Sequence, residues 1–195
     1  MTTNEFLEIV SVAAKLKTTM RHCTTADNRQ ESVADHSWRI ALMAMLLSGV
    51  EEFQEADFNK VVRMCLIHDL GEAFTGDIPA FQKTDADAKT EEELLFKWVA
   101  ALPQPLSEEW LALFHEMQAQ ETTEAKLYKA LDKIEAIISH NESDIATWLP
   151  LEYDLQFTYG KENMQFSPWL MQLRKEVDAV SQKLIENAKR ENKSE

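Results

Sequence analysis

Between Thr122 and Asn141 apolar residues recur at Leu127, Tyr128, Leu131, Ile134, Ile137 and Ile138. Those three- and four-residue steps describe a long helix with one face turned inward. Such a face has to be covered by other elements, and the rest of the chain supplies helices. Only four glycines and five prolines interrupt 195 residues, while Ala, Leu, Glu, Lys and Met are abundant, a balance that favours helix over sheet. The expectation is an all-α fold in a single domain over residues 1–195. Asp132 sits inside the long apolar helix, and a carboxylate flanked that way needs a cation: Lys133, Arg39 or a metal ion.

The same periodicity places the other elements. Phe6, Ile9, Val10, Ala13, Ala14 and Leu16 mark a helix over 4–17, and the polar stretch 18–34 reads as a loop. A second helix runs from about Asp35 to Val50 and is nearly all apolar after Trp38, which makes it central. A third starts at Asp57 as N-cap and carries Val61, Val62, Met64, Leu66 and Ile67 into His68-Asp69. Gly71, Gly76 and Pro79 then impose a loop to about Asp87. Thr90-Glu-Glu-Glu93 fits a capping box opening a helix to Leu102, and Ser107 caps the next, which runs to about Gln120. Residues 142–167 are aromatic-rich and irregular: a lid, a dimer contact or a packed surface loop. Pro168 opens a terminal helix to about Lys189, beyond which the tail frays.

Net charge is −14. A surface that acidic repels nucleic acid polymers and anionic membranes. No run of about 18 apolar residues exists to span a bilayer, and the N-terminus lacks the basic-then-apolar pattern of a signal peptide. Cys23 and Cys65 are too few and too far apart for a zinc motif, so free thiols in the cytoplasm are expected. Met and Trp positions, among them Trp38, Trp98, Trp110 and Trp169, suit either a core or a homodimer interface.

Chemistry concentrates in His36, His68, Asp69 and Asp132. Two imidazoles and two carboxylates from three helical segments make a cage for one borderline divalent cation. Consecutive helical residues point about 100° apart, so His68 and Asp69 share an ion only over the stripe between them. A His-Asp dipeptide also serves as an ordinary hydrogen-bonded core pair. Glu72, four residues after His68, reaches the same face if the helix persists and would orient or deprotonate a water. Asp77, in Gly76-Asp-Ile-Pro79, binds a substrate hydroxyl, protonates a leaving oxygen or forms an Asx turn. Two carboxylates leave a dication about neutral, so phosphate chemistry needs further cations; Arg21, Arg29, Arg39 and Lys133 are available. His22, His115 and His140 read as structural, and with only His115 between His68 and Asp132 the pattern argues for one metal.

Taken in order, Glu31-Ser-Val-Ala-Asp-His36-Ser, Ile67-His-Asp-Leu-Gly-Glu-Ala73, Gly76-Asp-Ile-Pro79 and Leu131-Asp-Lys-Ile-Glu135 resemble the HD-domain superfamily of metal-dependent phosphohydrolases over roughly residues 15–140. Within it the chain is most similar to the small 5'-deoxyribonucleotidases and the HD-domain-containing protein 2 group. The resemblance implies a bundle of about six to eight helices and removal of phosphate from deoxyribonucleoside 5'-monophosphates, helped by cobalt, manganese or zinc. It implies His36, His68, Asp69 and Asp132 as metal ligands, Glu72 positioning the attacking water, Asp77 near the leaving group and sugar, and Arg21 on the phosphate. His22 stands where these enzymes usually place an aromatic, Ala130 replaces a common acidic residue, and nothing after Asn141 has a counterpart. The rival expectations are another nucleotide substrate, a triphosphate or an alarmone, and a non-catalytic helical module stapled by its metal. Glu72 and Asp77 argue against the module, since a structural site needs neither.

Overall fold

A computed structural model describes residues 1–191. Its α-helices are α1 (Thr3–Ala14), α2 (Val33–Leu47), α3 (Phe58–Ile67), α4 (Glu72–Thr75), α5 (Asp85–Ala100), α6 (Leu106–Ala119), α7 (Thr123–Glu142), α8 (Glu152–Thr158) and α9 (Pro168–Glu191). Among the described residues the protein is all-α apart from one small hairpin. Among the described residues no helix is long and apolar enough to cross a membrane.

The long helix α7 is the axis of the bundle. Thr122 caps it, and α2, α3, α6 and α9 pack around it. Leu127, Leu131, Ile134 and Ile137 are each no more than 2% exposed. Truncating Ile134 to Ala is expected to cost about 2–5 kcal/mol through lost burial and the cavity left behind, read as a fall in the denaturation midpoint at unchanged slope.

Helix α2 starts two residues earlier than its apolar run suggests. Ser32 accepts from the Asp35 N–H while the Asp35 carboxylate accepts from the Ser32 N–H, a reciprocal cap. Val33, His36, Ser37, Ile40, Ala41, Ala44 and Leu47 form its buried stripe. The opposite face carries Trp38, Leu42, Met45 and Leu46 in the open, so the helix is central on one side only.

The stretch 18–34 is not simply a loop. Strands β1 (Met20–Thr24) and β2 (Gln30–Ser32) pair antiparallel, with Met20 opposite Ser32 and Thr24 opposite Gln30. The turn closes because the Thr25 N–H donates to the Arg29 carbonyl at 2.7 Å and Asn28 takes a left-handed conformation with φ 62°. β1 lies along α7, which delivers Arg21, His22 and Cys23 to that helix.

Three other boundaries differ from the sequence expectation. α3 ends at Ile67, with His68 as its C-cap, and the chain passes through tight turns (Leu70 N–H to Ile67 carbonyl, Glu72 N–H to Asp69 carbonyl) into α4. α5 begins at Asp85, because Thr84 and Asp87 form the reciprocal cap; Thr90, in mid-helix, donates its hydroxyl to the Ala86 carbonyl instead. α6 opens after Pro105, leaving Ser107 buried in its first turn rather than at a cap.

The segment 142–167 is largely ordered into short pieces: a 3₁₀ turn at Ile145–Thr147, helix α8, and a second turn at Glu162–Met164. Gly160, at φ +63°, lays its backbone on α7 so closely that any Cβ would collide with Lys133. Gly160→Ala therefore carries both a steric and a left-handed penalty and is expected to destabilise by about 1–3 kcal/mol, with thermal unfolding as the readout. α9 runs on to Glu191, and the rest of the tail expected to fray, residues 192–195, lies outside the described residues.

Candidate active site

His36 on α2, His68-Asp69 at the end of α3 and Asp132 on α7 converge. One ligand atom each from His36, His68 and Asp69 lies within 4.8 Å of the others. Asp132 Oδ1 stands 3.4 Å from His36 Nε2 and 3.9 Å from His68 Nε2. Asp69 Oδ2 is 2.9 Å from His68 Nε2 and 3.9 Å from His36 Nε2. The other ring nitrogens are committed elsewhere. His68 Nδ1–H donates to the Cys65 carbonyl at 2.9 Å, and His36 Nδ1 meets the buried Glu135 carboxylate. Both Nε2 atoms are left buried, with no hydrogen-bond partner, turned toward the two aspartates. Two buried lone pairs facing two carboxylates fit a divalent cation.

The electrostatics agree with that donor set. Burial opposes ionisation of Asp69, yet His68 and His36 hold its carboxyl well below the usual range. Burial likewise opposes ionisation of Asp132, and Lys129 and Lys133 overcome it. Asp132 divides its oxygens: Oδ1 faces the histidines, while Oδ2 takes Lys129 at 3.0 Å and Lys133 at 3.3 Å. With no cation between them, burial and Arg21 lower His36, and the facing Asp132 and Glu135 carboxylates outweigh them and push it up to about 9.

Glu72 reaches the site by a different route from the one expected. The α3 helix does not persist to it; the tight turns after His68 and the start of α4 bring it in. It is 6% exposed, and its Oε2 has no partner. Burial first, then the charges of Asp69 and Asp77, push its carboxyl up to about 10. Asp77, half-buried, is raised by burial and by Asp69 against the pull of Arg21. The Arg21 guanidinium is clamped by Glu31 at 2.6 Å and Glu135 at 3.4 Å.

Arg21, Asp69, Glu72, Asp77 and Asp132 line one pocket of about 350 Å³, the size of a small-ligand cleft, while the His36 and His68 side chains are buried outside its lining. Of the candidate cations, Arg21 and Lys133 line it. Arg29 is instead paired with Asp35, and Arg39 is paired with Glu142. Lys129 and Lys83 line the pocket unanticipated. Lys129 sits three residues before Asp132 on the same helix face, a spacing visible in the sequence. His22 and His140, read as structural, also line it, together with Glu152, Gln156 and Tyr159. His115 packs on Phe96, away from the pocket.

A family model described as the HD domain matches residues 13–174. The chain belongs to the HD-domain family. It is 33% identical to human 5'-deoxynucleotidase HDDC2 over 155 residues, 77% of this chain and 72% of that protein. Against the Bos taurus 5'-deoxynucleotidase HDDC2 it is 32% identical over 178 residues, 89% of this chain and 84% of that protein. Among solved structures, a predicted metal-dependent phosphohydrolase from Magnetospirillum magnetotacticum superposes with a TM-score of 0.73 at 28% identity, covering 96% of this chain and 92% of that one. The HD-domain fold thus accounts for the helical bundle around α7.

In this HD domain one buried acid links the two halves of the site. Glu135, 0% exposed, touches His36 Nδ1, Arg21 and, at 3.8 Å, Arg39. Its carboxylate takes the Nδ1–H of His36, so Nε2 is the nitrogen turned to Asp69 and Asp132 and the one that would give up its proton to a metal. Glu135→Ala is expected to weaken divalent-metal affinity about 10–100-fold, measured by calorimetric metal titration.

Proposed function

We propose that this protein is a divalent-metal-dependent 5'-deoxynucleotidase, one HD domain that removes phosphate from deoxyribonucleoside 5'-monophosphates in the cytoplasm. The observation that carries the reading is the pair of unpartnered, buried Nε2 atoms of His36 and His68 turned to Asp69 and Asp132, with Lys129 and Lys133 behind them. Similarity to relatives named as 5'-deoxynucleotidases supports the substrate class.

His36, His68, Asp69 and Asp132 would hold one ion, of the cobalt, manganese or zinc class to which imidazole and carboxylate donors are suited. When bound, such a cation supplies Lewis acidity and acidifies water. Glu72 takes the proton from the attacking water. Asp77, whose carboxyl burial and Asp69 raise, lines the same pocket and serves the departing 5'-oxygen. Charge balance assigns the phosphate to the lysines. Asp69 and Asp132 cancel a dication, a phosphate monoester brings about −1.5 to −2, and Lys129 and Lys133 offset it. Arg21 adds its charge at the pocket wall.

The test is phosphate release by metal-loaded protein from ribo- and deoxyribonucleoside 5'-monophosphates, with triphosphates and a guanosine alarmone as further arms. Metal-dependent release from deoxy monophosphates is expected. Release confined to triphosphates or the alarmone would reassign the substrate. No release with any metal would return the chain to the non-catalytic reading.

A further inference from the structure

The pocket extends well past the residues that would handle phosphate. From Asp132 onward along α7 the lining residues are Asp132, Lys133, Ala136, Ile137 and His140, with Lys129 one turn before them, one face of the helix. Eight residues at the helical rise span about 12 Å, the reach of an extended nucleoside monophosphate from phosphorus to the far edge of its base. Opposite, α8 and the residue after it present Glu152, Leu155, Gln156 and Tyr159 at helical spacing. Two contacts set the direction. The Lys133 ammonium donates to the Tyr159 hydroxyl at 2.8 Å, and His140 Nε2 lies 3.5 Å from Glu152 Oε2. The two helices run antiparallel along the pocket, with Lys133 and Tyr159 at the phosphate end and His140 and Glu152 at the far end.

That far end is built around an acid. Glu152 is 6% exposed, accepts the Leu149 N–H at 2.6 Å through Oε2 and lies 3.0 Å from His22 Nε2 through Oε1. His140, stacked on Trp148 at 4.4 Å, turns a buried Nε2 with no hydrogen-bond partner toward it. Ile137, Leu155 and Phe81 supply apolar walls suited to a flat ring. A carboxylate accepts hydrogen bonds and repels carbonyl oxygens.

Resting on the hydrolase reading above, we propose that Glu152, positioned by His22 and the Leu149 N–H, reads the nucleobase and favours guanine. Guanine turns N1–H and its 2-amino group side by side, two donors for two carboxylate oxygens. Hypoxanthine keeps N1–H and lacks the amine. Thymine sets a carbonyl on each side of its single N3–H, against the charge.

The experiment uses the full-length, cobalt-loaded protein and measures kcat/KM for dGMP, dIMP and TMP. Calorimetric binding of deoxyguanosine, deoxyinosine and thymidine is measured in parallel. The nucleosides carry no phosphate, so their binding does not depend on catalysis. The expected order is guanine, then hypoxanthine, then thymine, with roughly 10- to 100-fold between first and last, the discrimination of a two-hydrogen-bond base contact. Glu152→Gln, of the same size, should move the dGMP:TMP ratio by about tenfold or more toward TMP, because an amide can pair with N3–H and a neighbouring carbonyl. A structural role alone would lower all three substrates together. Equal kcat/KM values with equal nucleoside binding, or a ratio unmoved in the variant, overturn the assignment of Glu152 and leave the hydrolase intact. Ordered nucleoside binding without hydrolysis of any nucleotide would uphold Glu152 and overturn the hydrolase.

Discussion

Asp69→Ala loses its divalent ion and its phosphate release together. Asp69 Oδ2 is the oxygen closest to His68 Nε2, at 2.9 Å, and it also faces His36 Nε2. Without it the remaining carboxylate, Asp132, is already engaged by two lysines, and the local charge turns positive. Metal affinity should fall by more than the roughly 10–100-fold seen when only an outer hydrogen-bond partner of a ligand is removed, with phosphate release dropping to the background of the metal-free protein. Folding should survive, because Asp69 stands part-exposed at the pocket wall and not in the apolar core. Metal content by mass spectrometry, alongside turnover, checks this; metal-dependent turnover retained in the variant would remove Asp69 from the ligand set.

Glu72→Gln should separate binding from chemistry. In the metal-free site the Glu72 carboxyl is pushed up to about 10 by burial, Asp69 and Asp77, so it stands protonated at neutral pH and a neutral amide replaces it at little cost in stability. Positive charge among the neighbouring ligands favours its ionised, proton-accepting form. The variant is therefore expected to bind metal as the parent does and lose about 10²–10⁴ in kcat, the range for removing a general base. An unchanged kcat would take Glu72 out of the proton transfer.

How much of this was legible in the sequence depended on the range of the forces involved. His36, His68, Asp69 and Asp132 were legible because an unpaired imidazole or carboxylate beside an apolar helical run is costly, and because the ordered motifs around them resemble those of the HD-domain superfamily. Lys129 was legible in principle as an i−3 neighbour of Asp132. Glu72 reaches the pocket by a route that the sequence pattern did not indicate: the helix that was to carry it ends at Ile67, and tight turns bring it in instead. Thr90-Glu-Glu-Glu93 had the composition of a cap, but Thr84 and Asp87 form the same arrangement earlier, and a helix needs only one start. The hairpin at 20–32 depends on Asn28 adopting a left-handed turn and on α7 to lie against. Helix α8 has seven residues between Pro150 and Gly160, too short to leave a periodic signal. The far end of the pocket was hidden for that reason. His22, His140 and Glu152 come together through the antiparallel placement of α8 on α7, and no local pattern encodes that.

The central claim is that one divalent ion, held by His36, His68, Asp69 and Asp132, is required for phosphate release. It is tested most directly by stripping the protein with chelator and titrating cobalt or manganese back while following both bound metal and release of phosphate from dGMP. The account predicts no release from the stripped protein and recovery that saturates at about one ion per chain, as a single four-ligand cage requires. Full turnover in the stripped protein, or recovery that tracks a second ion while the first leaves the rate unchanged, would contradict it.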